Sequence, residues 1–96
     1  MTHGWTFFTN HAHVLVCLAR DPDLRVRDLA LRVGITERAV QRILSDLPDA
    51  GYLEVRKDGR RNHYELVPGL ALRHPVEEGV RVGDLLRLLA SAPPVG

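Results

Sequence analysis

The stretch Asp28-Leu29-Ala30-Leu31-Arg32-Val33-Gly34-Ile35-Thr36-Glu37-Arg38-Ala39-Val40-Gln41-Arg42-Ile43-Leu44 decides the fold of this 96-residue chain. Val26, Leu29, Ala30 and Val33 fall at i, i+3, i+4 and i+7, which predicts a short amphipathic helix with Arg27, Asp28 and Arg32 on its other face. Gly34 ends it by supplying a left-handed residue. Thr36 then offers a side-chain oxygen to the free N–H groups of a new helix, and Glu37 complements the positive end of its dipole. On this second helix Val40, Ile43, Leu44 and Leu47 share one side, while Glu37, Arg38, Gln41, Arg42 and Ser45 share the opposite one. One face is built to pack and the other to face outward. Pro48 lacks a donor and disfavours helical geometry at Leu47, so the helix is expected to end or kink near Asp46.

Upstream, residues 9–20 open with Thr9 as a candidate N-cap and stop before Asp21-Pro22, predicting a first helix. Seven of the eight residues from Ala12 to Ala19 are apolar and spread around that helix, which implies more than one buried face and points to a subunit contact. Downstream the period changes to two. Leu53 and Val55 alternate with Glu54 and Arg56, then Tyr64 and Leu66 with His63 and Glu65, predicting two strands. Asp58-Gly59 between them predicts a hairpin with a type I′ turn, carrying Arg56, Lys57, Arg60 and Arg61 near its tip. After Pro68-Gly69 the chain reads as extended from Leu70 to Pro75, with one helical turn over Val76–Gly79. A last helix over Gly83–Ser91 holds Leu85, Leu86, Leu88 and Leu89, more apolar surface than one small domain covers.

Length and composition bound what these elements can build. A chain of this length buries roughly 60–70% of its unfolded surface, enough for one core and not two. With 45% hydrophobic and 26% charged residues and a mean hydropathy of −0.11, it falls in the soluble globular class. The longest apolar run, Ala12–Ala19, is broken by His13 and falls far short of the ~20 residues of a membrane span. No secretory signal pattern stands at the N-terminus, so a cytoplasmic location is expected. Cys17 has no partner for an intrachain disulfide and is expected to be a buried, unreactive thiol.

The residues for catalysis are missing from the sequence. Ser45 and Ser91 are the only serines, no nucleophile–His–Asp set or metal-ligand spacing can be assembled, and no glycine-rich phosphate loop occurs. Neither an enzyme nor a cofactor is expected. His11 and His13 point roughly 200° apart on a helix and cannot hold one ion together, so both read as structural. Trp5, Phe7 and Phe8 read as core or interface anchors. Thirteen basic residues, twelve of them arginine, against twelve acidic ones give a net charge of +1, and the pI near 8.0 is too low to announce nucleic-acid binding by itself. Any polyanion site must therefore be a local arrangement.

Helix, short helix, glycine turn, helix and basic hairpin make up the layout of a winged helix-turn-helix, an α+β and mainly helical fold with a three-helix core and a β-hairpin wing. The expected divisions are 1–68 for this domain, 69–91 for a C-terminal extension and dimerisation helix, and 92–96 for a disordered tail. The major groove of DNA admits one helix, provided its back is fixed and its outward face carries hydrogen-bonding groups. The recognition helix, 36–47, meets that condition. Arg38 and Arg42 match guanine or phosphate, Gln41 matches adenine, and Glu37 matches cytosine N4 or orients an arginine. Thr36 and the helix N-terminus suit a phosphate. The wing, 56–63, brings Arg56, Lys57, Arg60, Arg61, Asn62 and His63 to the backbone or the minor groove.

The run from Asp28 to Leu44 resembles the helix-turn-helix of small bacterial and archaeal winged-helix regulators of the MarR/ArsR type, with Ala30, Gly34, Val40 and Ile43 at the matching positions. Ala50-Gly51-Tyr52-Leu53 and Arg60-Arg61-Asn62-His63-Tyr64 resemble the wing of that family, and the likeness extends from about residue 9 to residue 90. The resemblance implies a prokaryotic regulator that binds double-stranded DNA as a homodimer through its first and last helices, here Val14, Leu18, Leu85, Leu86, Leu88 and Leu89. It departs from the family at Pro48, where the recognition helix usually runs on, and at Arg25, where Ser or Thr often caps the second helix. The paired cysteines or His/Asp pairs of metal-sensing relatives are missing, so metal sensing is not implied. Two other readings stay open. A winged-helix module that binds another protein is favoured by the five acidic residues from Glu37 to Asp58, and a sensor would take a small apolar ligand between the first and last helices.

Overall fold

Leu29, Val14 and Val40 are fully buried at the centre of the molecule, one from each of three consecutive helices. These are α1 (Asn10–Arg20), α2 (Val26–Val33) and α3 (Glu37–Asp49). The computed structural model describes the backbone of residues 4–91 and the side chains of residues 4–90, so the tail at 92–96 lies outside the described residues. A two-stranded antiparallel sheet follows, β1 (Leu53–Asp58) with β2 (Arg61–Leu66), then a 3-10 turn at Pro75–Glu77 and α4 (Val82–Ser91). The winged helix-turn-helix read from the sequence is the observed fold.

Local chemistry sets the boundaries. α1 starts after Thr9, whose side chain makes no cap bond, and stops where Asp21 turns extended ahead of Pro22. α2 opens at Arg25, which has no side-chain acceptor to offer; instead Asp28 Oδ2 accepts the Arg25 N–H at 3.3 Å. Gly34, at φ +83°, closes it. Thr36 caps α3 by accepting the Ala39 N–H on Oγ1 at 3.0 Å.

Two local expectations are corrected. α3 does not end near Asp46 but runs through Pro48 to Asp49. The missing proline donor falls in the last turn, where the chain closes differently: Tyr52 N–H donates to Leu47 O and Gly51 N–H to Pro48 O, each at 2.9 Å, around Gly51 at φ +89°. That is a complete Schellman motif, and its hydrophobic pair, Leu47 and Tyr52, is buried. The hairpin turn is also displaced by one residue. Asp58 pairs with Arg61, leaving Gly59-Arg60 as the loop, and only Gly59 has positive φ, at +66°. This fits a II′ turn, with glycine first, and excludes I′, which needs positive φ at both positions.

The segment after the wing doubles back instead of simply extending. Leu72 N–H donates to Val80 O and Val82 N–H to Leu70 O, each at 2.9 Å, flanking an Ala71–Arg81 bridge. Its 3-10 turn begins at Pro75, whose fixed φ suits the first helical position, and not at Val76. Tyr52 ties the segment down by donating its hydroxyl to Ala71 O at 2.8 Å. α4 therefore returns along α1, where Arg20 donates to Leu89 O at 3.0 Å and Ala90 O at 3.3 Å and caps the helix end. This packing corrects the expected interface: Val14, Leu18 and Leu86 lie inside the core of the single chain, leaving Leu88 exposed at 74% and Leu85 and Leu89 half-buried. No described helix is long and apolar enough to cross a membrane.

The return of α4 requires a glycine at position 83. A Cβ there would stand 2.6 Å from Pro68 Cβ and 2.7 Å from Pro68 O, while the Gly83 N–H donates to that same oxygen at 2.9 Å. Gly83→Ala should destabilise the fold by about 1–3 kcal/mol, read as a lower midpoint in urea. Gly69→Ala, with open space around it, is the control and should shift the midpoint little.

Candidate nucleic-acid interface

The two faces of α3 separate as its periodicity dictates. Val40, Ile43, Leu44 and Leu47 are buried, and Glu37, Arg38, Gln41, Arg42 and Ser45 are exposed. Among the described residues, no side-chain hydrogen bond or ion pair engages Glu37, Arg38, Gln41 or Arg42. Thr36, exposed at the start of the helix, spends one oxygen lone pair on its cap and keeps its hydroxyl proton free to donate.

The wing residues divide into two groups. Lys57 and Arg60 are exposed at the tip without a side-chain partner among the described residues. The others are engaged within the chain. Arg56 Nη2 donates to Glu65 Oε1 at 2.8 Å, Arg61 Nη2 to the backbone oxygen of Asp23 at 2.7 Å, and Asn62 Nδ2 to the Tyr64 hydroxyl at 3.2 Å. His63 Nδ1 lies 2.9 Å from Asp23 Oδ1, and because a carboxylate only accepts, that nitrogen carries the proton.

Two residues missed by sequence reasoning enter here. Asp23 touches the wing at Arg61 and His63. Arg25 lines a depression of about 340 Å³ together with Arg60, Arg61 and Asn62, so a third arginine joins those of the wing. Nothing local marks Asp23, and the only local signal at Arg25 is that arginine is unusual at an N-cap.

The remaining sequence candidates resolve individually. His11 Nε2 donates to Asp46 Oδ2 at 2.9 Å, tying α1 to α3, whereas His13 Nδ1 lies 3.1 Å from Asn10 Oδ1. Among the described residues no three His, Cys, Asp or Glu side chains gather as a metal site. Cys17 is half-buried and not fully buried; burial pushes its thiol up, with Arg32 and Arg20 opposing in part. Trp5 and Phe7 are not core anchors. They stand 72% and 90% exposed and pair edge to face, with centroids 5.4 Å apart. A cavity of about 530 Å³ lies between α1 and α4, walled by Phe8, Leu15, Leu72, Leu85 and Leu86, with His11 and Arg73 among its polar residues.

A packed helix-turn-helix with a free polar face, followed by a basic two-stranded wing, defines the winged helix-turn-helix class. Within that class the family model described as MarR family matches residues 8–61, more than half of the chain, and the chain belongs to the MarR family. This is a family of transcription regulators and not of enzymes. Among solved structures the chain is similar to the zinc-dependent MarR family transcriptional regulator AdcR in its Zn(II)-bound state, at 24% identity and a TM-score of 0.51. That match covers 94% of this chain and 54% of the other, so the chain spans about half the length of that relative and the likeness is one of fold. No match is found among curated proteins.

The cap that begins α3 also orients its first polar residues. Thr36→Ala should lower stability by about 1 kcal/mol, and Thr36→Ser should restore most of it. Chemical denaturation of the three proteins measures this, and equal midpoints for Thr36→Ala and the parent would show that the cap bond contributes nothing.

Proposed function

We propose that the protein is a sequence-specific regulator of transcription that binds double-stranded DNA as a homodimer in the prokaryotic cytoplasm. The recognition helix α3, Glu37–Asp49 with its cap Thr36, enters the major groove, and the wing, 56–63, follows the flanking backbone or minor groove. The observation that carries this reading is the free outward face of α3, where Arg38, Gln41 and Arg42 have no partner among the described residues while the opposite face is buried. Such a helix presents hydrogen-bonding groups without first having to break bonds inside the protein. Gln41 suits the N6/N7 edge of adenine, and either arginine suits guanine O6/N7.

The wing supplies affinity more than sequence choice. Lys57 and Arg60 are free to meet phosphates, whereas Arg56, Arg61 and His63 must share or exchange partners to do so. For the dimer, Leu88, Leu85 and Leu89 on α4 and the exposed Trp5 and Phe7 supply the apolar surface. Two-fold symmetry then places half-sites about one helical turn apart in an imperfect palindrome. The second reading, a winged-helix module that binds a protein partner, draws support from Glu65 and Asp23, which neutralise part of the wing's charge.

Selection of random duplex DNA on the purified protein, followed by sequencing, separates these readings. A palindromic motif supports the regulator; a retained pool without enrichment, or no retention on duplex DNA at low salt, supports the interaction module. With the motif in hand, Gln41→Ala should relax base preference at one position per half-site, at a cost of about 1–3 kcal/mol. Unchanged preference across single-base variants would remove Gln41 from the readout. Arg60→Ala should weaken binding to all sequences and flatten the slope of log K against log salt by about one for each phosphate that is no longer neutralised. An unchanged slope would place Arg60 away from phosphate.

A further inference from the structure

We propose that Asp23, an acidic residue beside the basic wing, is a positioning residue whose clamp on β2 holds the wing in the orientation that DNA binding requires. The inference rests on the DNA-binding reading above. Asp23 grips the wing twice: its carboxylate accepts from His63 Nδ1 at 2.9 Å and its backbone oxygen accepts from Arg61 Nη2 at 2.7 Å. The anchor itself is held. Asp21 Oδ1 accepts the Asp23 N–H at 3.1 Å, Leu24 N–H donates to Asp21 O at 3.4 Å, and the Leu24 side chain is buried.

The clamp bears on β2, which is tied in turn to β1. His63 stands opposite Arg56 in the ladder; Arg56 donates to Glu65 at 2.8 Å, and His63 Nε2 lies 3.8 Å from the same carboxylate. Asp23 thus fastens β2 to the loop between α1 and α2 through His63 and Arg61, and the Arg56–Glu65 ion pair ties β1 to that strand. This support matters because a two-stranded ribbon is only marginally stable by itself. Among the strand residues only Leu53 and Tyr64 are buried, and both lie away from the tip. With Asp23 in place, Lys57 and Arg60 are carried on a wing with two attachments, the buried base and the clamp.

The sign of the effect separates positioning from simple charge. A carboxylate near DNA repels phosphate, so deleting its charge should by itself tighten binding. A positioning role predicts the opposite. The full chain, Asp23→Ala and Asp23→Asn are titrated with the selected operator and with an unrelated duplex, and the order of amides 57–62 is measured by 15N relaxation without DNA. We expect Asp23→Ala to bind the operator about three- to tenfold more weakly, to keep or slightly raise its affinity for the unrelated duplex, and to show more mobile wing amides. Asp23→Asn, which still accepts from His63, should recover most of the loss.

Operator affinity that is unchanged or tighter in Asp23→Ala, or wing amides as ordered as in the parent, overturns the proposal. Failure of the parent chain to bind any duplex overturns the DNA-binding reading instead. The clamp is then judged by the amide order of the free proteins.

Discussion

The buried side of α3 is the constraint on which the rest depends. Val40 has no exposed surface, and Ile43, Leu44 and Leu47 retain 8% or less. Each such side chain contributes about 1.5–3 kcal/mol when taken from water, whereas substitutions on an exposed face usually stay within about 0.5 kcal/mol. The helix is therefore held by one half of its circumference, and the other half is free to carry Glu37, Arg38, Gln41 and Arg42 with little effect on the fold. The glycine at 34 and the cap at Thr36 serve the same arrangement. They let α2 and α3 meet across a short turn, so that Leu29 and Val40 share one core.

A second constraint is the way the chain closes on itself after the wing. Gly51 turns the end of α3 so that Tyr52 enters the core, and the Tyr52 hydroxyl then holds the returning segment at Ala71. Close approach of Gly83 to Pro68 completes the return, and Arg20 caps the far end of α4. Because α4 lies on α1, much of the apolar surface of both helices is used within the chain. At the surface remain Leu88, parts of Val16, Cys17, Leu85 and Leu89, and an exposed aromatic pair, Trp5 and Phe7.

Much of this was legible from residue spacing. The 3.6-residue pattern located α2 and α3, Gly34 and Thr36 fixed the turn between them, and alternation marked both strands. The misses share a physical origin. The Pro48 rule holds for a helix interior, but here the missing donor fell in a final turn that Gly51 had already closed by a different bond pattern. The Asp58-Gly59 signal was off by one because Asp58 keeps its ladder partner, Arg61, and the left-handed position needs only Gly59. Val14, Leu18 and Leu86 read as interface residues in the sequence because periodicity reports that a face is buried, not what buries it. In the candidate site, the free face of α3 was readable in full. The partners of His63 and Arg61 were not, since Asp23 is 40 and 38 residues away in sequence and nothing local marks the pairing.

The electrostatics follow from the same division of faces. At a net charge of +1 the molecule has no strong overall field to draw it to a polyanion. Attraction must come from cations that are unpaired and locally presented, and the described wing leaves Lys57 and Arg60 in that state while tying down Arg56, Arg61 and His63. Fewer free cations mean fewer phosphates neutralised, which lowers affinity for arbitrary DNA more than for a site that also engages Gln41 and the arginines of α3. Under the proposed DNA-binding role, the acidic residues on the wing and its anchoring loop therefore favour sequence choice. In that role they reduce the sequence-independent share of binding, and the clamp proposed for Asp23 holds the remaining cations beside α3.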